Sequence, residues 1–257
     1  MHRIIPAFLL LMASFAQAEW TPPLEPDPQL ILQQAKADAQ AGRHEDALAK
    51  QVWFHQHALA FRPSLYGVRL SFALSAWVEL GAAYPPALAK LQSIRAEHEA
   101  KVRDGSGGRE DFHDFAAINR TLKEDGPPRE LFVWLDANKP ELAKQVYDLA
   151  QPALIKAAEY KLCGRYVDAD RAFQRQLVAY QANRRMAEDP KFGKRMQAFG
   201  EKKFANGTAT LVALLVLNER VADAERIVAA AVNEWNDPQF HEQLESAKQG
   251  KVPAPWP

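Results

Sequence analysis

The chain has 257 residues, 47% of them hydrophobic, and its 32 Lys plus Arg are balanced by 32 Asp plus Glu. A formal charge of zero supplies no bulk attraction to nucleic acid or to an anionic membrane surface, so neither is expected as a partner. The single cysteine, Cys163, rules out an internal disulfide and a paired-cysteine zinc site, which leaves stability to a packed core that a chain of this length can build.

Residues 1–18 read as a secretory signal peptide. His2 and Arg3 precede the apolar run 4–15, and Ala16-Gln17-Ala18 has the small-x-small pattern of a cleavage site. The apolar run is too short to span a bilayer, which needs roughly 20 residues, so export is expected, with no integral span after cleavage. The mature chain would begin near Glu19 and carry a formal charge of −1, because only Arg3 is lost from the charged set.

Pro22, Pro23, Pro26 and Pro28 make 19–28 an extended linker. Beyond it the pattern is helical throughout, which predicts an all-α chain with helices at 29–41, 44–61, 67–83, 85–102, 110–123, 127–137, 140–150, 152–163, 166–187, 208–218 and 222–235. A further helix over 190–203 is expected to break near Gly200, and a short one covers 238–248 before the flexible tail 249–257. Prolines 85, 127, 140 and 152 mark helix starts, Pro152 alternatively kinking one longer helix, and Gly207-Thr208 reads as an entry and N-cap. The whole of 29–248 reads as one helical domain, with a weak boundary near 103–110, around the glycine-rich segment 103–109. That segment lacks the Lys-Ser/Thr of a phosphate loop and reads as a mobile connection.

Three segments share a turn pattern: AGRHEDAL from Ala41, CGRYVDAD from Cys163 and NERVADAE from Asn218. A helix ends, a bulky residue follows (His44, Tyr166, Val221), and three residues later an alanine opens the next helix (Ala47, Ala169, Ala224). Glycine accepts the left-handed conformation after a helix, and alanine lets two helices cross closely. The pattern resembles the tetratricopeptide repeat, whose turn reads Gly-x-Tyr-x-x-Ala, and the second copy adds Tyr160 before the turn and Phe173 after it. The copies lie 122 and then 54 or 55 residues apart, and 64–150 match none. The resemblance implies antiparallel helix pairs in an irregular α-solenoid whose concave surface holds an extended protein or peptide partner without catalysis. It also implies a periplasmic address, with an extracellular one as the alternative.

No catalytic or cofactor signature appears. Histidines 44, 55, 57, 98, 113 and 241 include no pair at i, i+4, so no metal site and no cofactor is expected. Cys163, at the end of a repeat helix, reads as structural. The alternative function is a helical-array enzyme cleaving an envelope polysaccharide with paired carboxylates, for which Asp111 with Asp114 and Glu45 with Asp46 are the sequence candidates. Within the apolar stretch 67–84, Leu70, Ala73, Leu74, Trp77, Leu80, Gly81 and Tyr84 form one stripe of a central, largely buried helix.

Two groups are candidates for partner binding. The stretch VWFHQH sets His55 and His57 about 160° apart on a helix turning about 100° per residue, so the pair cannot chelate one ion. His55 is expected in the core, while Trp53, His57 and Phe61 form an outer aromatic ridge at i, i+4 and i+8. The second group lies in 184–203, where seven basic and three acidic residues give a local charge of +4 with Phe192 and Phe199 interleaved. Arg184, Arg185, Lys191, Lys194 and Arg195 are its candidate contacts for an acidic partner.

Overall fold

A computed structural model describes residues 20–191 and 193–255. The signal-peptide reading and Phe192 therefore lie outside the described residues. The fold is all-α: thirteen helices and one short 3-10 turn, with no strand among the described residues. No described helix is long and apolar enough to cross a membrane. The chain divides into two compact units, Met1–Leu91 and Gln92–Pro257, and the division falls inside one helix, upstream of 103–110.

The first unit opens on α1 (Pro28–Gln40), where Asp27 accepts hydrogen bonds from the Gln29 and Leu30 amides and Pro28 fills the first turn. Gly42 takes φ +77° to turn the chain into α2 (His44–Phe61). Ile31 and Ala35 of α1 and Ala47, Phe54 and Ala58 of α2 are buried. At the turn the buried Asp38 carboxylate binds Lys50 Nζ at 2.6 Å and Arg43 Nη2 at 2.6 Å, which compensates the burial of an acid and an amine together.

The expected helix 67–83 is two helices, α3 (Tyr66–Arg69) and α4 (Phe72–Ala83), preceded by the 3-10 turn Pro63–Leu65. The break at Leu70-Ser71 leaves Ser71 in a non-helical conformation, with its hydroxyl donating to the Gly67 carbonyl at 2.6 Å. It also directs buried Arg69 onto the His55 carbonyl, Nε to O 2.6 Å. The apolar stripe still faces inward on both sides of the break: Leu70, Leu74, Trp77 and Leu80 are all buried, and the Trp77 indole donates to the Ala87 carbonyl at 2.8 Å. α5 (Pro85–Asp104) follows, carrying the division.

In the second unit, the glycine-rich segment closes as a tight turn: Asp104 accepts from the Ser106 amide and hydroxyl, and the Gly108 amide donates to Asp111 of α6 (Arg109–Leu122). α7 (Gly126–Asn138) pairs with α8 (Pro140–Lys156). Pro152 lies inside α8 rather than opening a helix. The helix it was expected to begin is short and separate, α9 (Tyr160–Tyr166), reached through Ala158 at φ +57°. The turn expected at Gly164 is therefore corrected: Gly164 is helical, and α9 passes into the next helix through Val167 in extended conformation, with no left-handed residue.

α10 (Ala169–Ala187) starts at Asp168, whose carboxylate accepts from the Arg171 amide at 3.0 Å. The two helices expected at 190–203 and 208–218 are one, α11 (Gly193–Leu217). It runs through Gly200 and Gly207 without interruption, and Thr208 is a buried mid-helix residue rather than a cap. Its second half is apolar on most faces because α9, α10, α12 (Val221–Glu234) and α13 (Pro238–Lys248) all pack against it. The core of this unit includes Phe112, Phe132, Leu154, Phe204, Leu211 to Leu215 and Phe240.

Candidate functional site

The second unit carries a groove of about 550 Å³ along α8, α10 and α11, within the range of small-ligand and peptide sites. Its geometry follows from how α10 and α11 approach. A Cβ on Gly200 would stand 2.7 Å from Asn183 Cβ, and one on Gly207 would stand 3.1 Å from Gln176. The amide-bearing residues on α10 and the glycines on α11 are both seven apart, so each amide of one helix nests over a glycine of the antiparallel other. Ridge-in-groove packing of this kind brings backbones close and leaves the flanking polar groups at a shared surface.

Each wall is one helical face. α10 contributes Ala172, Arg175, Gln176, Ala179, Tyr180 and Asn183; α11 contributes Lys203, Phe204, Asn206 and Thr210 beside its two glycines. Tyr180 stacks on Phe204 with centroids 4.6 Å apart and planes 18° apart, forming an aromatic floor. Gln176 Oε1 accepts from the Thr208 hydroxyl at 3.0 Å, and Gln151 Nε2 donates to the Tyr147 hydroxyl at 3.0 Å, which fixes two amides in orientation. Asn206 Nδ2 donates to the main-chain carbonyl of Ala254 at 2.8 Å, and Pro255 completes the lining.

Asp148 of α8 is the one carboxylate lining this groove among the described residues. Arg109 grips it with Nη1 to Oδ1 at 2.7 Å and Nη2 to Oδ2 at 2.9 Å, and Arg175 Nη1 reaches Oδ2 at 3.1 Å. Burial alone would raise its pKa, but the two guanidinium groups outweigh burial and hold it below the usual carboxylate range. It is a fixed anion, poorly suited to accept a proton near neutral pH.

The first unit carries a second groove, about 680 Å³, lined by Trp20, Trp53, His57 and Tyr84 with Glu45, Asp46 and Lys90. The aromatic ridge lies where the helical register places it. Trp53 lies 5.7 Å from His57 and 5.8 Å from Phe61, and Trp20 packs edge-on against Trp53 at 6.4 Å. Phe61 stays 55% exposed and does not line the groove. His55 is buried, with its ring edge-on to Trp77 at 6.0 Å.

The basic candidates are exposed, and none lines the α10/α11 groove. Arg184 lies over the Tyr180 ring at 5.8 Å and reaches Glu234 at 3.9 Å. Lys191 and Arg195 come together around Met196 and Phe199 in a surface hollow of about 380 Å³, whereas Arg185 and Lys194 line neither. Cys163 is fully buried, and burial pushes its thiol up to about 11 despite a hydrogen bond with Tyr147.

Sequence reasoning missed the groove residues Gln151, Gln176, Asn183 and Asn206. The one signal, for Gln176 and Asn183, is the pairing of glycines seven apart in 200–207 with amides seven apart in 176–183; Gln151 and Asn206 carry none.

No family model matches the chain, and neither a curated protein nor a solved structure matches it.

Proposed function

We propose that this chain is an exported, non-catalytic binding protein of the cell envelope, built of tetratricopeptide-like helix pairs, which holds an extended peptide segment of a partner protein in the groove of α8, α10 and α11. The observation that carries this reading is Asn206, which already donates 2.8 Å to a main-chain carbonyl, Ala254 O, in a groove that also carries the side-chain amides of Gln151, Gln176 and Asn183. Side-chain amides offer both a donor and an acceptor to any extended backbone, while the Tyr180–Phe204 floor accepts an apolar side chain.

The repeat-like reading draws support from the three turn alanines. Ala47, Ala169 and Ala224 are each 2% exposed or less, as close helix crossing requires, and Glu219 at φ +63° takes the left-handed position of the third turn. Binding is favoured over glycan cleavage because the groove carboxylate, Asp148, is held by two arginines rather than facing a second acid. Export and a periplasmic address rest on residues 1–18 and on the single cysteine.

Selection of short displayed peptides on the full chain tests the reading. Selected peptides are expected to lose binding when Gln176→Leu or Asn183→Leu is placed in the groove, with the fold checked by circular dichroism. Recovery of no peptide, or binding indifferent to both substitutions, contradicts it.

A further inference from the structure

The segment after α13 indicates what the groove accepts and what competes for it. α13 ends at Lys248, and Gly250 at φ +77° turns the chain back, with the Lys251 amide donating to Ser246 O at 3.3 Å. The residues that follow are Val252, Pro253, Ala254 and Pro255, and none is helical. Val252 packs partly against the core of the unit, Ala254 O takes the Asn206 amide, and Pro255 lines the groove. Prolines at 253 and 255 remove two N–H groups and fix φ near −65°, so this stretch presents carbonyls with few donors of its own. Asn206 supplies the donor that such a backbone lacks. Of the remaining amides on α10, Gln176 packs over Gly207 beside Asn206, and Asn183 lies two turns farther along, over Gly200.

We propose that 252–255 is a displaceable plug: it occupies one end of the α10/α11 groove in cis and competes for Asn206 with an extended, proline-bearing peptide segment of a partner. The proposal rests on the reading of this groove as a peptide site. A tether as short as 249–251 gives the tail an effective concentration of about millimolar order, so a contact too weak to hold in trans still closes the site for part of the time. The partner's apparent affinity then falls in proportion to the open fraction.

The probe is a fluorescent peptide Lys-Val-Pro-Ala-Pro, the sequence of 251–255, followed by anisotropy on three chains. These are the intact chain, a chain ending at Gly250, and a full-length chain with Pro253→Gly and Pro255→Gly that keeps Val252 in place. Both opened chains are expected to bind the probe at least about tenfold more tightly than the intact chain, as an open fraction near one tenth requires. Adding Asn206→Ala to the Pro253→Gly/Pro255→Gly chain is expected to weaken binding by about fivefold, the worth of one hydrogen bond. Equal affinity in intact and opened chains overturns the plug, as does failure of every chain to bind the probe. The groove reading survives either result if peptides selected by display still depend on Gln176 and Asn183, and falls if no such peptide is found on the opened chains.

Discussion

Asn218, at the end of α11, fills the space that a side chain on Gly164 of α9 would need: a Cβ there would stand 1.9 Å from Asn218 Cγ. The Asn218 amide donates to the carbonyls of Tyr160 at 2.9 Å and Leu214 at 2.7 Å, so it ties the two helices at their closest approach. Gly164→Ala would gain about 1 kcal/mol of helix propensity but must push this amide aside, and a net loss of about 1–3 kcal/mol is expected from overpacking. The double variant Gly164→Ala/Asn218→Ala should recover part of the loss in a urea-unfolding cycle, because the two residues share one space. Strict additivity would contradict the contact.

Burial along α2 differs sharply between its middle and its C-terminal end. Phe54 is fully buried, and Phe54→Ala should cost about 3–5 kcal/mol through lost burial and the cavity left behind. Phe61, seven residues on, is 55% exposed, and Phe61→Ala should stay within about 0.5 kcal/mol of the parent. Thermal or urea denaturation of the pair checks this, and comparable costs would contradict the burial of Phe54 and the exposure of Phe61 at the end of the helix.

The extent of α2 was legible in the sequence because the helix is bounded by unambiguous signals, a glycine turn before it and Pro63 after it, although its buried face includes the polar Lys50, Gln51 and His55. The short helix expected over 238–248 forms with those bounds, whereas the capping acids Asp27 and Asp237 were not singled out: Asp237 accepts from the Phe240 amide at 3.0 Å, and Asp27 caps a helix that begins at Pro28, inside the expected linker. Errors occurred where a local breaker is overruled by packing. Gly200 and Gly207 read as interruptions, yet they are helical because Asn183 and Gln176 press where their side chains would be. Pro152 reads as a start, yet it sits in α8 with Ala153 and Leu154 anchored in the core behind it. The groove was illegible because it is a property of two helices together. Neither the α10 amides nor the α11 glycines carry a chemical signature alone.

Asp38 makes acid stability measurable at one position. Burial would raise its pKa, but hydrogen bonds and charge from Lys50 and Arg43 outweigh this and hold the carboxyl below its ordinary value of 3.8. A group depressed in the folded state contributes stability that is complete above its unfolded pKa and is lost as pH falls through the folded one. Urea midpoints of the parent should therefore decline below about pH 4 more steeply than those of Asp38→Asn. Parallel declines would show that the ion pairs do not couple to folding.

Cys163 gives the opposite sign at alkaline pH. Its thiol is raised from 9.0 to about 11 by burial, so the unfolded chain loses its proton first and stability falls as pH rises from 9 toward 11. Cys163→Ala should remove that part of the alkaline decline. In the folded chain at neutral pH the thiol should react with a disulfide reagent only as fast as the protein opens, and rapid stoichiometric labelling would contradict its burial.

The most direct test of the central claim is the affinity of the full chain for a display-selected peptide, measured by fluorescence anisotropy beside two single variants. Asn183→Leu in the α10/α11 groove should weaken binding at least about tenfold, a loss of about 1.4 kcal/mol. Trp53→Ala in the aromatic groove of the first unit should leave the affinity unchanged. Loss of binding in Trp53→Ala with retention in Asn183→Leu would contradict the account and move the binding site to the first unit.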